Sequence, residues 1–185
     1  MGKDADYLNI KGICGSVENT VQIRDVFYHD SQTVNKNHYQ ITTGSASVTY
    51  SNNGITITGT RTTDTYVKNT VLELPTNYVA ELTITGLTSS GSIYYGGFCF
   101  DDCLIDISNE FCKIYKLSNI SITPTEISKI NVGDTVKIEM QNGTMKIYIN
   151  NTLKDTRTVT HTGVFQYRTY NTRSLTSKNI IVHGL

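Results

Sequence analysis

The sequence predicts an all-β protein, an antiparallel two-sheet β-sandwich of jelly-roll type. Three observations carry this. First, the 185 residues include 28 Thr, 20 Ile, 13 Val and 12 Tyr but three Ala, a composition that favours pleated strands over helices. Second, short segments of alternating apolar and polar residues recur along the chain, separated by turn residues, as in sandwiches. Third, no stretch has helical periodicity for more than a turn or two. The length suits one domain with a full core. We place a linker or edge segment at residues 1–20 and the sandwich at 21–185.

The elements follow from the alternation. Residues 21–28 form a first strand, and a polar connection covers 29–44. Residues 45–50 and 55–59 flank Ser51-Asn52-Asn53-Gly54. A four-residue loop there sets Tyr50 opposite Ile55 and Val48 opposite Ile57, so all apolar positions share one face. Strands follow at 71–74, stopped by Pro75, and at 78–87, where Tyr78, Ala80, Leu82 and Ile84 point inward. A meander covers 93–100, 103–108 and 111–117, with turns at Asp101-Asp102 and Asn109-Glu110. Two-residue turns set Cys99 opposite Leu104 and Ile107 opposite Cys112. Phe98, Phe100, Cys103, Ile105, Ile107, Cys112 and Ile114 then line the core. Residues 135–141 and 144–150 form a hairpin closed by Asn142-Gly143, a favoured type I′ pair. Strands at 152–159, 164–170 and 179–183 complete the chain.

Part of this pattern resembles a known family. Val132-Gly133-Asp134-Thr135-Val136-Lys137-Ile138, followed by Asn142-Gly143-Thr144-Met145-Lys146-Ile147-Tyr148-Ile149-Asn150, is similar to a segment of concanavalin A-like, laminin-G-like jelly rolls. Gly163 to Tyr170 and Ser177 to Val182 resemble their closing strands. The likeness covers about residues 40–185 and concerns turns and alternation rather than a catalytic signature. It implies a module of the kind found in lectins, carbohydrate-binding modules, adhesins and viral tail or receptor-binding proteins. The partner expected from it is a glycan or host-surface receptor, and the place a virion or a cell surface.

The residues exclude several other functions. Sixteen basic residues balance sixteen acidic ones, so no basic field exists for nucleic acid. No apolar run or basic amphipathic helix suits membrane insertion. The chain starts Met1-Gly2-Lys3-Asp4, without the apolar stretch of a signal peptide. Six glutamates occur, no two within five residues, so the Glu-x-Asp-x-Glu array of laminarinase-type glycosidases is missing. There is no Gly-x-Ser-x-Gly, HExxH or phosphate loop. We therefore expect no catalytic residues and a non-enzymatic module. A hydrolase would need two carboxylates brought together by folding, about 5–9.5 Å apart. The four cysteines lack zinc spacing. Cys103 and Cys112 point inward on neighbouring strands, offset by four residues or about 13 Å, too far for a disulfide; we expect free thiols.

Three candidate sites remain. On the outer face of the meander, Gly97, Asp106 and Lys113 lie side by side, flanked by Tyr95, Phe111 and Tyr115. Aromatic rings and hydrogen-bonding groups together suit a sugar. A cross-strand ion pair between aromatic neighbours would look the same. The loop 170–174 offers Asn171 and Arg173, with Arg168 just before it, at a sandwich end where recognition is common. Asp101 and Asp102 supply oxygens for calcium, if another loop joins them; a solvated turn is the alternative. No other cofactor is expected. The outward aromatic face also suits a structural module that self-associates as a homo-oligomer.

Overall fold

The computed structural model describes residues 26–29, 39–51, 53–60, 64–88, 94–119, 123–170 and 172–185. Within them lie fifteen strands: β1 (Val26–His29), β2 (Tyr39–Thr43), β3 (Ala46–Ser51), β4 (Gly54–Gly59), β5 (Asp64–Glu73), β6 (Tyr78–Thr88), β7 (Tyr94–Phe100), β8 (Cys103–Ser108), β9 (Cys112–Lys116), β10 (Thr125–Ile127), β11 (Thr135–Gln141), β12 (Thr144–Ile149), β13 (Thr152–Thr158), β14 (Val164–Tyr170) and β15 (Ser174–Gly184). A single 3-10 turn spans Leu117–Asn119. The strands form two antiparallel sheets. One runs β13-β12-β11-β6-β15-β4-β3, with β1 paired to β15; the other runs β10-β9-β8-β7-β14-β5-β2.

The sheets pack face to face as a sandwich. Ile55, Ile57, Ala80, Leu82, Ile84, Val136, Ile138, Met140, Met145 and Ile147 come from the first sheet. Val67, Phe98, Phe100, Ile105, Ile107, Ile114, Phe165 and Tyr167 meet them from the second. Each Ile, Val, Leu, Met and Phe among them contributes about 1.5–3 kcal/mol by leaving water. An aromatic chain runs through the second layer: the Phe100 and Phe165 centroids lie 4.9 Å apart, and those of Phe165 and Tyr167 5.1 Å apart.

The local hairpins match expectation. Val48 pairs with Ile57 and Tyr50 with Ile55, but Ser51 also pairs with Gly54, so the turn is tighter than four residues. Cys99 pairs with Leu104 and Ile107 with Cys112. Cys99, Cys103 and Cys112 are free and buried; Cys14 lies outside the described residues, as do 1–25.

Several strands differ from expectation. The polar stretch 29–44 contains a strand, β2; the strand placed at 71–74 begins seven residues earlier as β5; the strand placed at 179–183 begins at Ser174 as β15; and β10 falls where none is expected. The inward positions of β5 include Thr65 and Asn69 as well as Val67, and in β2 Tyr39 is buried while Ile41 is exposed, which hides the alternation. A wide irregularity between Val164 and Gln166 skips residues 69–72 of β5; Asn69 Oδ1 accepts the Leu72 N–H at 2.9 Å there.

Candidate functional site

The second sheet carries a polar line across its outer face. Side chains directly opposite in a sheet share a face. Pairing therefore puts Tyr66 of β5, Arg168 of β14, Gly97 of β7, Asp106 of β8, Lys113 of β9 and Glu126 of β10 in one row. The Gly97–Asp106–Lys113 register is the expected one. Its chemistry is not. Asp106 is bound by Arg168, whose Nη1 donates to Oδ2 at 2.7 Å. The other arm, Nη2, donates to Asp64 Oδ1 at 2.7 Å. Lys113 instead reaches Glu126 at 3.3 Å and sits 4.5 Å from the Phe111 ring centroid.

One guanidinium thus bridges a buried and an exposed carboxylate. The Asp106 side chain is 5% exposed, that of Arg168 17% and that of Asp64 42%. Burial raises the Asp106 pKa, and the attraction of Arg168 opposes it without winning. Burial works to lower the Arg168 pKa, but Asp106 and Asp64 outweigh it and raise it. Burial also pushes the Tyr66 phenol up to about 12, against the pull of Arg168, so it stays a neutral donor. Asp106 Oδ1 and Arg168 Nε are both buried without a hydrogen-bond partner among the described residues.

Glycine at 97 has a packing reason. A Cβ there would lie 2.2 Å from the Ile105 carbonyl oxygen, so the close approach of β7 to β8 demands it. The outer face is covered over β8, every residue of which is buried. Tyr95 falls at a register shift between Tyr94 and Gly96, and it packs against the core instead of flanking Asp106. Phe111 and Tyr115 are half-buried, with Tyr115 opposite Leu104 in the next row.

The second candidate merges with the first. Arg168 lies on β14 just before the loop, as expected, and its side chain turns to Asp106. Arg173 is 4% exposed rather than solvated. Its carbonyl accepts from Thr169 Oγ1 at 2.8 Å and from the Gly59 N–H at 3.1 Å. The guanidinium lies 4.9 Å from the Tyr170 ring centroid, and its charge reaches Asp106. Asn171 lies outside the described residues.

Asp101 and Asp102 have structural employment. Asp101 Oδ2 accepts from Tyr78 at 2.9 Å. Its Oδ1 takes the Thr162 and Gly163 N–H groups at 2.9 Å and meets His161 Nδ1 at 3.0 Å. This fully buried carboxylate ties the β7–β8 turn to β6 and to the segment before β14. Asp102 accepts from the Ser118 N–H and hydroxyl, both at 2.7 Å, and fixes the 3-10 turn. Protein donors hold both carboxylates, and no cluster of three or more His, Cys, Asp or Glu suited to a metal occurs among the described residues. The geometry gives the calcium expectation no support.

Sequence reasoning missed Asp64, Tyr66 and Glu126. Asp64 and Tyr66 sit on the unrecognised start of β5. Glu126 lies on the three-residue β10, too short to show alternation. A further concavity of about 570 Å³ lies on the other sheet near Val79, Glu139 and Lys146. There Glu139 is already bound by Tyr148 at 2.8 Å and Lys137 at 2.9 Å.

Comparison with known proteins places the fold. No protein-family model and no curated protein sequence matches the chain. Solved structures do. The carbohydrate-binding module CBM66 from Bacillus subtilis superposes with a TM-score of 0.60 at 16% identity, over 80% of this chain and 96% of that one. The Crh5 transglycosylase in complex with NAG gives 0.64 at 9% identity, over 86% and 84%. The Emp46p carbohydrate recognition domain, in its metal-free form, gives 0.52 at 9% identity, over 80% and 89%. The chain therefore has the two-sheet jelly-roll fold of lectin-like domains.

Proposed function

We propose that this is a non-catalytic carbohydrate-binding module that recognises glycans through the outer face of the seven-stranded sheet. The observation that carries the reading is the Asp64–Arg168–Asp106 bridge, set among Tyr66, Tyr170 and Phe111. It offers fixed acceptors and donors beside aromatic rings, the combination a sugar requires. The structural neighbours support it, since two of them are carbohydrate-recognition modules by name. Display on a virion tail, fibre or other surface is the setting we propose, with a host-surface glycan as receptor. A glycan array probed with the whole chain and with Asp64→Ala tests this. Binding to a defined set of glycans that weakens in the variant is the expected result. Silence across chemically diverse sugars would refute it.

One observation favours a second reading. Folding brings two carboxylates, Asp64 and Asp106, onto one guanidinium, and a glycosidase or transglycosylase works with a pair of carboxylates. Incubation with labelled oligosaccharides separates the two readings: new reducing ends or transfer products, lost in Asp106→Asn, would make the protein an enzyme.

A further inference from the structure

We infer that the ligand of the Asp64–Arg168–Asp106 site is an uncharged polyhydroxylated sugar, and that acidic sugars are excluded. This rests on the carbohydrate reading above and narrows it.

The guanidinium is flanked by carboxylates. Each terminal nitrogen of Arg168 donates to a carboxylate oxygen at 2.7 Å. A uronate or sialate that reached the second N–H of either nitrogen would bring a third negative charge beside Asp64 and Asp106. Among the described residues the charges of this row pair off: Asp64 and Asp106 with Arg168 and Arg173, and Lys113 with Glu126. Lys68, on the same face as Tyr66, stands one row away.

Asp106 Oδ1 and Arg168 Nε are sealed from solvent and unpartnered among the described residues, so a ligand meets this site at its rim. At the surface Asp64 is the exposed acceptor, and it selects donors. A carboxylate supplies none.

Isothermal titration calorimetry on the whole chain tests this. Neutral gluco-, manno-, xylo-, galacto- and fructo-oligosaccharides are compared with oligogalacturonate, alginate oligomers and sialyllactose, and with chitosan oligomers as the cationic arm. At least one neutral series should bind about tenfold more tightly than any charged one, as a charge-assisted hydrogen bond is worth. Its affinity should change little with salt. Asp64→Asn, an exposed near-isosteric change, should weaken that series about tenfold. Preference for an acidic or cationic series would overturn the inference and leave the carbohydrate reading intact. Neutral binding untouched by Asp64→Asn would overturn it by moving the ligand elsewhere. Failure of every series to bind would overturn the carbohydrate reading itself.

Discussion

Arg168 holds two carboxylates, and its value to the fold is measured by what its removal strands. Breaking one member of a buried pair leaves the other charged and desolvated. Arg168→Met should therefore cost about 3 kcal/mol in urea unfolding, and the double change Asp106→Leu with Arg168→Met should regain most of it. Asp106 makes a separate prediction about pH. Burial holds its folded pKa above the ordinary carboxylate value, so the folded protein takes up this proton first. That contribution is present below the unfolded pKa and lost as pH rises through the folded one. Wild type should gain stability relative to Asp106→Asn as pH falls from 7 toward 4.5; a flat or opposite difference in urea midpoints would contradict the assignment. The cysteines give a third. Burial pushes the Cys103 thiol up to about 12, and those of Cys99 and Cys112 higher still. Iodoacetamide at pH 8 should leave all three unmodified in the native protein, read site by site by mass spectrometry, and alkylate them once it unfolds.

Between strands, the turns decide register. Asn142 and Gly143 adopt φ of 50° and 75°, the left-handed pair that suits a two-residue hairpin. Space is not limiting, since the nearest atom to a Cβ on Gly143 is the Val159 carbonyl at 3.9 Å. Gly143→Ala should thus cost about 1 kcal/mol, from backbone strain alone. Gly97→Ala should be far worse, because its Cβ would meet a backbone oxygen at 2.2 Å. Thermal unfolding of the two variants side by side would show this contrast. The same elements show what a sequence can and cannot reveal. The hairpins β3–β4, β7–β8 and β11–β12 were legible because their partners are adjacent and their apolar positions alternate. β2 and the first half of β5 were not, because Thr65 and Asn69 fill inward positions of β5 and Ile41 of β2 is exposed. The site divides in the same way. Gly97, Asp106 and Lys113 follow from one meander. The guanidinium that binds Asp106 lies 62 residues away in sequence, and Asp64 is 104 residues from Arg168. Local alternation says nothing about such pairings, which come from the order of strands in the finished sheet.

At the level of the molecule, the strand order separates β5, β14, β7 and β8 along the chain and brings them together in one sheet. The face we propose for binding exists only when that sheet closes, so the proposed recognition would be coupled to global folding. A sugar that binds the proposed face should raise the unfolding midpoint, and go on raising it with the logarithm of its concentration above the dissociation constant. The other sheet depends on β15, which lies between β6 and β4 and also pairs with β1. A chain ending before Ser174 should lose the strand-type circular dichroism spectrum and the cooperative transition.

The central place of β15 also bears on how the protein is born. β3, β4 and β6 leave the ribosome long before residues 174–184, and the strand that joins them is the last described one to emerge. Until then β4 and β6 have no shared neighbour, and their Ile- and Leu-bearing faces await a partner still in the exit tunnel. Synthesis therefore runs ahead of closure, and the nascent chain must be kept from pairing its open edges with other chains.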